Sequence, residues 1–301
     1  MASASESTPQ APTQAQTQRY FLLRRLHSLT GILPIGVFLI AHLTTNSSLA
    51  WGRFALRGQG DGLTVAEGGV KYFQHEVSWI NEQVPHLLLI EIVLWVSIAF
   101  HAILGVFYAT TGKSNLQRYA YQDNWRYTLQ RWTGYIGILF IFYHVATLRW
   151  QWTFLVPEGT KWSHSFSAST LAAALQGSPE GFTPIGVAVA VLYMLGVTAL
   201  VFHFANGLWT AAITWGLTIS AKAQKRWGLV CTAIGAGLML AGWSALFSAM
   251  TIDYDEAHMV ERQRFIEEHG MAEYEAYTND KGILVPEPES GGRMAPGAAE
   301  R

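Results

Sequence analysis

Four histidines stand inside long apolar stretches: His42, His101, His144 and His203. A polar side chain without a partner in hydrocarbon is costly, so each of them calls for one. Successive membrane stretches alternate in direction, which sorts the four by depth. His42 and His144 fall in the second halves of outward-running stretches, near the outer side. His101 and His203 lie 16 and 19 residues after Pro85 and Pro184 in inward-running ones. One histidine from each of two helices, at each of two depths, is the geometry for two stacked bis-histidine haems. Neutral imidazoles would bind iron through one nitrogen, and the other can donate to a backbone carbonyl one turn earlier. Small residues must flank such a group. Gly105 and Gly207 follow His101 and His203 at i+4, and Gly134 and Gly137 precede His144. A lone membrane histidine is as readily an interhelical hydrogen bond, but four matched in depth fit that reading poorly.

His27 sits at the inner interface, 15 residues before His42. With Arg24, Arg25, Ser28, Gln130, Arg131 and Trp132 it makes a basic, hydrogen-bonding collar that suits haem propionates as well as lipid phosphates. Nothing on another helix is expected to pair with His27 at that depth, so it is not counted as an iron ligand. His75, His86 and His164 belong in or beside outer connections, and His258 and His269 are expected to be solvated in an acidic tail. Glu91 is the only acidic residue inside an expected span, and a carboxylate there is a functional candidate by default. Glu82 and His86 lie just above it, and with Arg149 and Trp51 they are candidates for an outer-side quinone pocket and its proton donors, beside the His42–His144 pair.

Composition narrows the field. Of 301 residues half are hydrophobic and 14% charged, with net charge −1, so nothing suggests a nucleic-acid partner. Cys231 is the only cysteine, which excludes an internal disulfide, a Cys-ligated iron–sulfur cluster and C-x-x-C-H haem attachment. Flavin or iron–sulfur chemistry would have to come from another subunit.

The elements that must position these residues are an all-α bundle of five membrane helices, at about 21–48, 85–110, 129–150, 184–218 and 227–250. Residues 1–18 read as a disordered tail, 19–250 as the membrane domain, and 251–301 as an acidic, then Pro/Gly-rich tail with one short amphipathic piece. Arg24 and Arg25 before an apolar run also permit a signal peptide. That run is a full span with four more behind it, which favours an uncleaved helix. Residues 49–85 and 151–183 read as polar connections, the first ending in a short interfacial helix with Tyr72, Phe73 and Trp79. The excess of Lys and Arg near the N-terminal flank, the 2–3 loop (with Lys113 and Arg118) and the 4–5 loop puts the N-terminus in the cytoplasm and the C-terminus outside.

RRLHSLTG…PIGVFLIAHL, FHAILGVF, LQRWTGYIGILFIFYHV and FHFANGLW together resemble the di-haem cytochrome b anchor of succinate:quinone oxidoreductases and fumarate reductases, in its single-subunit five-helix form. The likeness covers about residues 20–250. It implies that His101 and His203 hold a proximal haem b and His42 and His144 a distal one. It further implies a flavoprotein with FAD and an iron–sulfur protein on the inner face, a quinone substrate (menaquinone in the closest likeness), and the bacterial inner membrane. The connections at 49–85 and 151–183 look longer than usual for the family. Val201 stands where some fumarate reductases carry a glutamate. The anchor of another quinone-linked enzyme, such as a hydrogenase or formate dehydrogenase, or a structural haem-bearing anchor that carries no electrons, are the competing readings.

Overall fold

The computed structural model describes residues 13–286 apart from 57, 59, 112–123 and 158–159, and there is no strand among the described residues. Helix α1 (Gln14–Ile32) and helix α2 (Pro34–Ala55) run on as one 42-residue stretch long and apolar enough to cross a membrane. Pro34 has no N–H to give, which accounts for the break at Leu33 between them. Three further stretches qualify: α4 (Leu87–Thr111), α7 (Pro184–Thr214) and α8 (Ala221–Thr251). Helix α5 (Asn124–Leu148) matches α4 in length at 25 residues, but Arg126, Gln130 and Arg131 dilute its apolar character. Among the described residues four stretches therefore meet the criterion that five were expected to meet.

Four helices lie between or beyond these: α3 (Val65–Gln83), α6 (Ser167–Gln176), α9 (Tyr254–His269) and α10 (Met271–Lys281). They correct the expected connections and tails. Residues 49–85 and 151–183 are not merely polar linkers, because α3 and α6 bury Val70, Phe73, Ala172 and Leu175. The N-terminal tail is helical from Gln14, started by a capping box in which Thr13 and Gln16 each bond the other's backbone N–H. Helix α8 starts at Ala221, so Lys222, Lys225 and Arg226 stand in its first turns and not in a loop. Lys113 and Arg118 lie outside the described residues, as do residues 287–301.

The chain divides into two compact units. The first comprises residues 1–47, 80–143 and 192–245. In it α1 lies along α4. Leu43, Val201 and Leu238 form the centre of an apolar core on α2, α7 and α8, with Leu39, Val197, Phe204 and Ile234 packed around them. Glycines let these helices close up: a Cβ on Gly36 would fall 2.3 Å from the Phe204 ring.

The second unit comprises residues 48–79, 144–191 and 246–301. Phe166, Phe265, Tyr274 and Ile283 form its apolar cluster. Burying a side chain such as Phe166 contributes on the order of 2–3 kcal/mol. Helix α6 follows Phe166, which offers no side-chain cap. Its first three N–H groups are met from far along the chain instead. Gln74 Oε1 accepts from Ser167 N at 2.9 Å, and the Glu261 carboxylate accepts from Ala168 N at 2.6 Å and Ser169 N at 3.3 Å. His258, expected to be solvated, is fully buried: its ring stacks on Phe166 at 4.8 Å, and its Nε2 pairs with the Tyr274 hydroxyl at 2.8 Å. His269 is exposed, as expected.

Candidate haem site

Helices α1, α4, α5 and α7 bring three histidines of the first unit together. The His101 and His203 rings have centres 6.0 Å apart at 80° to each other. His101 Nδ1 lies 2.8 Å from the carbonyl oxygen of His27, and His203 Nδ1 lies 3.0 Å from that of Gln130. A carbonyl can only accept, so each ring carries its proton on Nδ1 and leaves Nε2 as a lone-pair donor to a metal. These anchors come from a facing helix, not from one turn earlier on the same helix: the His27 and Gln130 carbonyls lie within α1 and α5, and each takes the imidazole as a further donor on its second lone pair.

Glycines leave the rings their space. A Cβ on Gly31 would fall 2.5 Å from His101 Cε1, one on Gly134 3.1 Å from His203 Cε1, and one on Gly105 3.3 Å from His27 Cε1. Gly134 thus serves His203, not His144, and Gly31 was not singled out by spacing at all. The signal for it was there, since it follows His27 at i+4 as Gly105 follows His101.

His27 corrects an expectation. Its ring stacks on His101 with centres 4.0 Å apart and planes 12° from parallel, so a residue on another helix does meet it. His27 Nδ1 and the neighbouring Tyr108 hydroxyl, whose ring lies 5.7 Å away, are both buried with no hydrogen-bond partner among the described residues. Tyr108 was missed in the sequence; it lies seven residues after His101, two turns along the same face of α4.

Around them the collar residues are held by rings. Arg24 lies over Tyr20 and Tyr108, at 5.7 and 5.6 Å. Arg25 lies over Phe21 at 4.2 Å and Trp215 at 5.3 Å. Arg131 lies over Tyr127 at 4.2 Å and bonds its hydroxyl. Ser28 Oγ accepts from Trp215 Nε1 at 2.9 Å. Gln130 is engaged within the protein: its Nε2 donates to the His203 carbonyl at 3.1 Å, and its Oε1 accepts from Asn206 at 2.7 Å.

The fit to a haem can be judged from these facts. A metal with imidazole nitrogens about 2 Å away on opposite sides sets the ring centres roughly 6 Å apart. The observed spacing, the two fixed tautomers, and the buried donors beside His101 all suit a ligated group bearing acidic side arms. His42, half-buried in the first unit, stacks on Phe38 at 5.3 Å, and its carbonyl accepts from Asn46 at 2.8 Å. His144 belongs to the second unit, where its carbonyl accepts from Thr147 at 3.3 Å. Glu82 and His86 are exposed, and Glu91 is half-buried. His86 adopts φ +60° at the start of α4, where its carbonyl accepts from Leu89 and Ile90.

Helical without strands among its described residues, with four stretches long and apolar enough to cross a membrane and with imidazoles facing one another, the chain has the make-up of an integral membrane protein. No family model matches the chain. It is, however, 33% identical over 231 residues to the succinate dehydrogenase cytochrome b558 subunit of Bacillus subtilis (strain 168), a match that covers 76% of this chain and 97% of that protein. The chain belongs to the family of succinate dehydrogenase cytochrome b subunits.

Proposed function

We propose that this chain is the membrane anchor of a succinate:quinone oxidoreductase, conveying electrons from an iron–sulfur partner to a quinone, with menaquinone favoured by the sequence likeness. The observation that carries the proposal is the His101–His203 pair, 6.0 Å between ring centres and each Nδ1 anchored on a backbone carbonyl. These two residues would hold one haem b through Nε2. A haem bound there supplies one-electron exchange at a potential set by its ligands and surroundings. The protein's own work is to fix the ligand tautomers, to exclude water with the apolar faces of α1, α4, α5 and α7, and to offer donors at His27, Arg24, Arg25 and Tyr108 to acidic side arms, the Ser28 hydroxyl being already given to the Arg25 carbonyl at 2.9 Å. A second haem, with His42 and His144 as ligands, rests on the pairing by depth in the sequence. A flavoprotein with FAD and an iron–sulfur protein are its partners, docked on the cytoplasmic face of the inner membrane. Five spans, α5 among them, with the N-terminus inside, complete the reading.

Quinone reduction also needs protons, and Glu91, with Glu82 and His86, is assigned to that step. Glu91→Gln is expected to slow quinone turnover several-fold at unchanged haem content; unchanged turnover would remove Glu91 from the mechanism. The deciding test is a reduced-minus-oxidised optical spectrum of purified protein with haem counted per chain. Two low-spin b haems support the reading, one haem means one pair is misassigned, and none in assembled complex ends it.

A further inference from the structure

We propose that the Gln130 side chain is a positioning residue for His203, gripping that ligand from α5 and so setting the orientation and electron donation of its ring. The inference rests on His203 being a haem ligand. Gln130 meets His203 twice. Its backbone carbonyl faces the ring nitrogen Nδ1 at 3.0 Å, and its side-chain Nε2 donates to the His203 carbonyl at 3.1 Å. The two bonds cross between the same pair of residues in opposite senses, one ending on the ring and one on the backbone that carries it.

The side-chain amide is itself aimed by a third group. Asn206, buried on α7 three residues after His203, donates from Nδ2 to Gln130 Oε1 at 2.7 Å. That bond fixes which end of the amide is oxygen, and so turns Nε2 toward the His203 carbonyl. Thr133, one turn along α5, donates its hydroxyl to Leu129 O at 2.6 Å and lies 3.4 Å from His203 Nδ1, where its oxygen can share the ring proton. Among the described residues His101 has one such anchor, the His27 carbonyl. The two ligands of one site therefore sit in unequal surroundings: His203 is held by a chain of amides running Asn206 to Gln130 to its own carbonyl, and His101 by a stacked ring. Hydrogen bonds to the non-ligating nitrogen raise ligand basicity and fix ring orientation, which tunes the metal.

The test uses the assembled complex with Gln130→Leu, Asn206→Leu and the double variant, read by electron paramagnetic resonance of the low-spin haems and by optical redox titration. His203→Ala first identifies which haem signal belongs to this site. Each single variant is expected to shift the g-values and midpoint potential of that haem and leave the other as in wild type. The double variant is expected to go no further than the larger single, because both break one chain. Loss of that haem alone in both singles is the stronger form of the same result.

Wild-type signals in either single variant, independent effects that add in the double, or loss of both haems together would overturn the proposal. If His203→Ala keeps every haem signal, it is the ligand assignment that fails, and the inference with it. If His203→Ala removes one haem and Gln130→Leu changes nothing, only the inference fails.

Discussion

A missing methyl group at position 31 is what lets the His101 imidazole lie where it does. Gly31→Ala would put a carbon 2.5 Å from His101 Cε1, closer than any side chain tolerates, and the ring cannot yield without leaving the His27 carbonyl. Overpacking of this kind costs about 1–3 kcal/mol. The expected outcome is loss of one haem per chain with the other kept, counted by haem extraction. Gly105→Ala, with its 3.3 Å approach to His27, is expected to keep both haems. At this scale the sequence was informative but incomplete. The four membrane histidines stood out because an ionisable side chain in an apolar run has no cheap explanation. What stacks on what did not: the closeness of His27 to His101 depends on how α1 and α4 lie against each other, and Tyr108 and Asn206 are ordinary residue types until their neighbours are known.

Helices α6 and α9 form a pair whose pH response can be worked out. Burial raises the Glu261 carboxyl from 4.5 to about 7, against the pull of its bonds from Ala168 and Ser169. Between those values the folded form holds a proton that the unfolded form has released. The stabilising contribution of Glu261 is therefore full below 4.5 and lost as pH rises through about 7. Burial lowers His258 from 6.5 to about 4, so its contribution is full above 6.5 and lost as pH falls through about 4. The two slopes oppose one another across their overlap. Wild-type unfolding temperatures should be nearly level from about 4.5 to 6.5 and decline toward 7, by the two pairs of values above. Glu261→Gln should instead climb through the lower range and stay level above it; a profile like wild type's would show that Glu261 is ionised throughout.

Glu261→Ala strips the partner from two N–H groups at the start of α6, a loss of about 1–3 kcal/mol, measured by thermal unfolding at a fixed pH. Here the sequence was silent for a physical reason. Helix α6 has no N-terminal side-chain cap of its own, and the groups that meet its first N–H bonds come from residues 93 positions away. Such helices exist only through tertiary contact, so no local pattern announces them.

At the scale of the whole molecule, the chain is longer than the relative it matches. The match leaves nearly a quarter of this chain without a counterpart in the Bacillus protein while covering almost all of that protein. In complex with its flavoprotein and iron–sulfur partners, succinate is expected to reduce the b-type absorbance before added quinone reoxidises it, followed by rapid-mixing spectroscopy. Absorbance that stays oxidised under turnover would favour a purely structural anchor.

The length of α7 has one more effect. Its 31 residues make a rod of about 46 Å at 1.5 Å per residue, against roughly 30 Å of hydrocarbon. Tilting by even 40° shortens the projection only to about 35 Å, so the ends must stand clear of the hydrocarbon. A thicker or thinner bilayer is then met by changing how many end turns are wetted. His203 lies 11 residues from the C-terminal end and 19 from the start, away from both margins. Changes in acyl-chain length are thus absorbed at the rims of the rod, and His203 keeps a constant setting.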